Sequence, residues 1–178
     1  MQDLKQRLPE TAKDLKLNLG SITRSEHLNQ RQLYGTLVAT GLAARNAEVL
    51  AAVEREATAH LTPEDLALAK SIASTMGMNN VYYRFAHLVE DEEYLSLPAR
   101  LRMQALGGGE DDRLDRELWA LAVSAVNGCG MCIQSHERVL REHGATKAQI
   151  QDAVRIAAVV TAVSAVLDAQ PNAAPSAA

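Results

Sequence analysis

Helix-start signals punctuate the chain, and they constrain its fold more than any other feature. Asn29 is followed three residues later by Gln32, and Thr146 by Gln149. Both pairs are capping boxes, in which the first side chain accepts from the third backbone N–H and the glutamine reaches back. Thr62-Pro63-Glu64-Asp65 joins a capping residue, a proline at the first helical position and acids in the first turn. Apolar residues then recur at helical spacing, as at Leu33, Leu37 and Val38, and no segment alternates convincingly at the period of a strand. Aromatics make up only 3% of the residues while alanine is abundant, which favours close helix contact over a sheet. The expected fold class is all-α.

The order of elements follows from the same signals. One helix is expected from Pro9 toward Leu19, with Gly20 as its stop, and others from Asn29 and from Asn46 through Val49, Leu50 and Val53. The Thr62 helix should reach about Met76, where Gly77 and Asn79-Asn80 mark a break before Val81 to Val89. Asp91-Glu92-Glu93 reads as a solvated acidic face, and Pro98 starts a short helix to Leu106. Gly107-Gly108-Gly109 is the clearest loop. Beyond it, helices are expected from Arg113 to Val126, Cys129 to His143 and Lys147 to Leu167, with Gly144 as a stop and a frayed tail from Pro171.

A weak internal repeat relates about 29–90 to 112–168 within a single domain spanning 1–178, with the loop 107–109 between the copies. A shift of 85 sets Gln32-Leu33-Tyr34 over Glu117-Leu118-Trp119, and a one-residue adjustment sets Thr62 over Thr146. Gln32, Ala44, Ala47 and Ala51 then stand where the second copy has Glu117, Cys129, Cys132 and His136. Coincidence between two alanine-rich amphipathic helix sets is the alternative reading.

At 178 residues one substantial core is expected, and the net charge of −4 leaves no electrostatic footprint for nucleic acid or anionic lipid. Met1 to Arg7 lacks the apolar run of a signal peptide. Ile156 to Leu167 is short for a membrane span, contains Thr161 and Ser164, and reads as a buried helix. A cytoplasmic address is expected, where two cysteines three apart point to redox or metal chemistry.

Those cysteines, Cys129 and Cys132, follow Asn127-Gly128 at a predicted helix start. Unpaired N–H groups and the helix dipole favour a thiolate there. Cys132 and His136 stand i and i+4 on one helical face, so the histidine is placed to act as base. Cys129 lies one turn from Cys132, close enough for a disulfide. The rival reading is a non-catalytic zinc-binding helical module using Cys129, Cys132, His136 and Glu117. Structural zinc sites ordinarily bring a second clear ligand pair, which is missing, so redox chemistry is favoured. Taken alone, Glu117 is an exposed acid in the charged turn Asp115-Arg116-Glu117. Trp119, Tyr34, Tyr82 and Tyr83 read as core or subunit-interface anchors, with a place for one of them in the lining of a substrate pocket as the alternative, and Met76 and Met78 read as packing residues.

The pattern Glu117-x11-Cys129-x2-Cys132-x3-His136 resembles the alkylhydroperoxidase D family, within the wider carboxymuconolactone decarboxylase-like superfamily. Lys13 to Leu19, Met76 to Val81 and Leu118-Trp119 to Gly128 are similar to family stretches too, so the resemblance covers roughly residues 10 to 168. It implies an all-helical fold built on a duplicated unit, a homotrimer, and a thiol peroxidase needing no haem, flavin or metal. It implies reduction of organic hydroperoxides, with electrons from dihydrolipoamide on a lipoyl-bearing acyltransferase component. It further implies regeneration of a partner peroxiredoxin, alkyl hydroperoxide reductase C. On the family pattern Cys132 attacks the peroxide and becomes a sulfenic acid, while Cys129 is the resolving sulfur and proton donor, and the one more open to the reductant. His136 and Glu117 form the proton relay. Sequence alone equally permits the reverse cysteine order. Met131 stands where some members carry a histidine with a relay or docking role, a departure whose effect the sequence leaves open. The enzymatic alternative is a gamma-carboxymuconolactone decarboxylase-like protein. The dithiol argues against it, because that chemistry uses acid/base groups.

Overall fold

The computed structural model describes residues 1–109 and 112–170. It is all-α, with no strand among the described residues. The helices are α1 (Gln2–Arg7), α2 (Lys13–Ser21), α3 (Gln30–Ala43), α4 (Ala47–Ala57), α5 (Pro63–Leu88), α6 (Glu93–Ser96), α7 (Arg113–Val126), α8 (Gly130–Glu142) and α9 (Lys147–Asp168). Short 3-10 turns occupy Glu10–Ala12, Ile22–Arg24 and Gln104–Leu106.

Helices α3 and α7 form the centre. Each has a continuous buried run, Gln32 to Gly41 and Asp115 to Ser124, so each is covered on every side. They pack on one another, and both touch α5 and α9; α4 completes the cover of α3 and α8 that of α7. The crossing is close because Gly35 lacks a side chain. The Trp119 indole lies against its α-carbon, and Trp119 Nε1 donates to the Gln32 carbonyl at 3.3 Å. Arg31 lies over the same ring, 5.2 Å from its centroid, while reaching Asp65 and Asp115.

The capping chemistry decides where the long helices begin. Asn29 and Gln32 form a complete capping box, as do Thr146 and Gln149, and Thr62 accepts from the Asp65 backbone at 3.1 Å. Asn46 caps α4 through Val49. At 22 residues, α9 is long and apolar enough to cross a membrane. Here Ile150, Ala153, Ile156, Val160, Val163 and Leu167 are buried within the protein. The tail expected to fray lies outside the described residues.

Three boundary expectations are corrected. α5 runs through Gly77 and Asn79-Asn80 without a break. The roughly 1 kcal/mol disadvantage of a helical glycine is small beside the burial of this helix, and Asn80 is fully buried and bonded to Ser124 at 3.0 Å. Pro98 starts no helix; Arg100 takes a left-handed φ of 52°, and only Gln104–Leu106 winds into a turn. Pro9 precedes a 3-10 turn, and Gly20 lies inside α2, which ends at Ser21.

Candidate active site

The α7–α8 corner builds the site. Gly128 adopts a φ of 66°, the left-handed geometry that closes a helix and suits glycine. Its N–H donates to Ala125 O at 3.3 Å, and the next N–H, from Cys129, donates to Ser124 O at 3.1 Å. This is a complete Schellman closure of α7. The residue that finishes it, Cys129, is also the N-cap of α8, and its Sγ accepts from the Cys132 backbone N–H at 3.3 Å. Asn127-Gly128 thus fixes the first cysteine, and one helical turn fixes the second. A disulfide joins them, with Cα atoms 5.3 Å apart.

A polar chain holds this corner against α5. Asn127 Nδ2 donates to Asn80 Oδ1 at 3.0 Å, Asn80 Nδ2 donates to Ser124 Oγ, and Arg84 donates to the Asn127 carbonyl at 2.7 Å.

Folding α8 back along α7 brings His136 to Glu117, with Nδ1 and Oε2 2.6 Å apart. Glu117 is 5% exposed and His136 8%, so the reading of Glu117 as an exposed acid fails. Its neighbours are covered too: Asp115 by Arg31 and Gln32, and Arg116 by the Gly107 carbonyl and Asp112. Burial alone would raise the Glu117 pKa. The hydrogen bond from His136, the charge of that ring and Arg113 (Nε to Oε1, 3.1 Å) outweigh burial and hold the carboxyl below the usual carboxylate range. Glu117 is therefore an anion at neutral pH. Its Oε2 accepts from His136 Nδ1, which turns the other ring nitrogen, Nε2, away from the carboxylate.

Cys132 and His136 line one cleft of about 400 Å³. Its apolar walls come from Met76 and Tyr83 on α5, Met103 and Leu106 before α7, and Met131 on α8. Cys132 is 5% exposed and Cys129 is fully covered. As whole residues this runs against the expectation that Cys129 is the more open of the pair: as C″ of one helix and N-cap of the next, it sits inside the corner. Among the described residues the four site side chains pair two by two, sulfur with sulfur and histidine with glutamate, and do not converge on one point.

Sequence reasoning missed the cleft walls. Met103 and Leu106 lie within the stretch expected to be a short helix from Pro98, and Tyr83 is one of four aromatics among which the sequence does not choose; no local signal marks residues whose only shared property is a tertiary wall. Trp119 and Tyr34 are core residues, Tyr34 stacking on His60 with ring centroids 3.8 Å apart.

Residues 92–173 match the carboxymuconolactone decarboxylase family. The alkyl hydroperoxide reductase AhpD of Gluconacetobacter diazotrophicus is 53% identical over 168 residues, spanning 94% of this chain and 92% of that relative. The AhpD of Maricaulis maris is 53% identical over 94% of this chain and 96% of its own length. That of Streptomyces coelicolor is 52% identical over 96% of both chains. Near-complete coverage at this identity places the site described above inside a shared framework: the chain belongs to the alkyl hydroperoxide reductase AhpD family of oxidoreductase enzymes.

Proposed function

We propose that the protein reduces organic hydroperoxides through a Cys129–Cys132 dithiol/disulfide cycle. The observation that carries this reading is the placement of Cys132 and the Glu117-backed His136 on one apolar-walled cleft. With the pair reduced, His136 Nε2 takes the Cys132 proton. The thiolate attacks the terminal peroxide oxygen, an S–O bond forms, the O–O bond breaks, and the leaving alkoxide takes a proton from His136. Cys129 then attacks the Cys132 sulfenic sulfur, the S–S bond forms and the hydroxyl leaves as water. Dihydrolipoamide reopens the disulfide by thiol exchange and is itself oxidised to the cyclic disulfide. The place of Cys132 in the cleft wall, beside His136, supports it as the peroxide-attacking sulfur.

The donor is a lipoyl group on an acyltransferase component, and the wider role is antioxidant, including regeneration of alkyl hydroperoxide reductase C, in the cytoplasm. A homotrimer is supported by an apolar surface at the end of α5 and the segment after it. Phe85, Leu88 and Leu97 are 51%, 69% and 51% exposed there, and Phe85 meets Tyr94 edge to face. A duplicated ancestral unit is supported by the matching order of α3–α4–α5 and α7–α8–α9.

The test is hydroperoxide-dependent oxidation of dihydrolipoamide by the wild type, Cys132→Ser and Cys129→Ser. Turnover by the wild type and its loss in both variants is expected. A folded wild type inert with every dithiol, or undiminished turnover in either variant, overturns the reading.

A further inference from the structure

Asn79 has no part in the cycle described so far, yet it lies in the wall of the same cleft as Cys132 and His136. It is 5% exposed, its Oδ1 is buried without a hydrogen-bond donor, and its Nδ2 meets only the Met76 thioether, 3.9 Å away on its own helix. The next residue makes the contrast plain: Asn80 uses both ends of its amide, on Ser124 and Asn127. A buried amide left unmatched destabilises the fold. An apolar residue of the same size would remove that cost and fit between Met76 and Tyr83. Packing therefore gives no reason for an asparagine at this position.

Given the peroxidase reading on which this rests, we propose that the Asn79 carboxamide binds the hydroperoxide group in the cleft. A hydroperoxide presents one O–H donor and, on the adjacent oxygen, an acceptor. A carboxamide presents a C=O and an N–H with complementary polarity, and a half-turn of the amide exchanges which of them faces the cleft. The carbonyl accepts from the terminal O–H and orients that oxygen toward Cys132. The N–H donates to the inner oxygen, where negative charge grows as the O–O bond breaks. The N–H···O hydrogen bond strengthens toward the transition state, so it accelerates the step beyond mere binding. His136 still supplies the proton that converts the alkoxide to alcohol, so the balance of the reaction is unchanged. The apolar walls hold the organic substituent.

The experiment compares wild type with Asn79→Leu and Asn79→Ala in three measurements. These are kcat/KM for cumene hydroperoxide at saturating dihydrolipoamide, the rate of disulfide reduction by dithiothreitol, and the melting temperature. The proposal expects kcat/KM to fall roughly 10²-fold, the scale for losing one donor at a developing oxyanion. It expects the dithiothreitol rate to be unchanged, and melting of Asn79→Leu at or above the wild-type temperature, since an unmatched amide is removed. A merely structural asparagine would lower the melting temperature and spare kcat/KM in the folded fraction, and that result overturns the assignment. So does kcat/KM within twofold of wild type in both folded variants. An inactive wild type overturns the peroxidase reading itself, and is told apart by its failure before any substitution.

Discussion

Gly35→Ala and Gly77→Ala are the same chemical change in two long helices, and they should move stability in opposite directions. At Gly77 an added Cβ meets nothing within 4 Å, so alanine gains only its helix propensity, about 0.5–1 kcal/mol. At Gly35 the same Cβ would stand 2.2 Å from Trp119 Cε2 and Cζ2, whereas carbon atoms rest at about 3.5–4.0 Å. Either α3 and α7 separate by more than about 1 Å or the indole leaves its position; overpacking of this kind costs about 1–3 kcal/mol. Moving the indole also loses the Trp119 Nε1–Gln32 bond of 3.3 Å, worth about 1 kcal/mol. These losses exceed the propensity gain. The two variants should therefore differ by about 2–4 kcal/mol, or roughly 4–16 °C in melting temperature for a chain of this size. Thermal unfolding followed by circular dichroism measures it, with Gly35→Ala below wild type and Gly77→Ala at or above it. Equal shifts, or a stabilised Gly35→Ala, would refute the close crossing of α3 and α7.

Glu117→Gln keeps the shape of the relay but removes the charge behind His136; kcat/KM for hydroperoxide should fall about 10²-fold, and steady-state kinetics at pH 7 checks this. Because the Glu117 pKa is lowered on folding, its stabilisation is complete above the ordinary carboxylate value of about 4.3 and fades as pH falls through the lower folded value. Denaturant unfolding should thus show wild type more stable than Glu117→Gln at neutral pH and the two converging in acid; a gap that widens in acid contradicts the sign. Phe85→Asp, in the exposed apolar surface, should turn the proposed trimer into monomers of unchanged helicity by sedimentation at micromolar concentration, and a wild-type monomer overturns that proposal.

What the sequence disclosed, and what it concealed, divides along physical lines. Asn29, Thr62 and Thr146 announce their helices because a cap is settled within four residues. Gly128 and Gly144 likewise close α7 and α8 with left-handed φ values of 66° and 85°. Gly77 and Asn79-Asn80 misled because helix breaking is judged locally, while α5 is held by burial and by the bonds of Asn80 across to α7. Glu117 shows the same limit. Its turn is rich in charge, and charge in a turn ordinarily faces water. Here Arg31, Gln32, Arg113 and His136, from three helices, supply the partners that let Asp115 and Glu117 sink inside. The i, i+4 spacing of Cys132 and His136 was legible, and so was the one-turn spacing of the cysteines. Which of the two cysteines lines the cleft was not, because it depends on Cys129 belonging to both helix ends at the corner.

The most direct test of the dithiol account is to treat the reduced protein with one equivalent of cumene hydroperoxide and weigh it intact. The account predicts that wild type loses both thiols to the Cys129–Cys132 disulfide, and that Cys129→Ser instead holds a single sulfenic acid on Cys132, trapped by dimedone. Persistent thiols in the wild type, or sulfenic acid formed on Cys129 in Cys132→Ser at the wild-type rate, would contradict it.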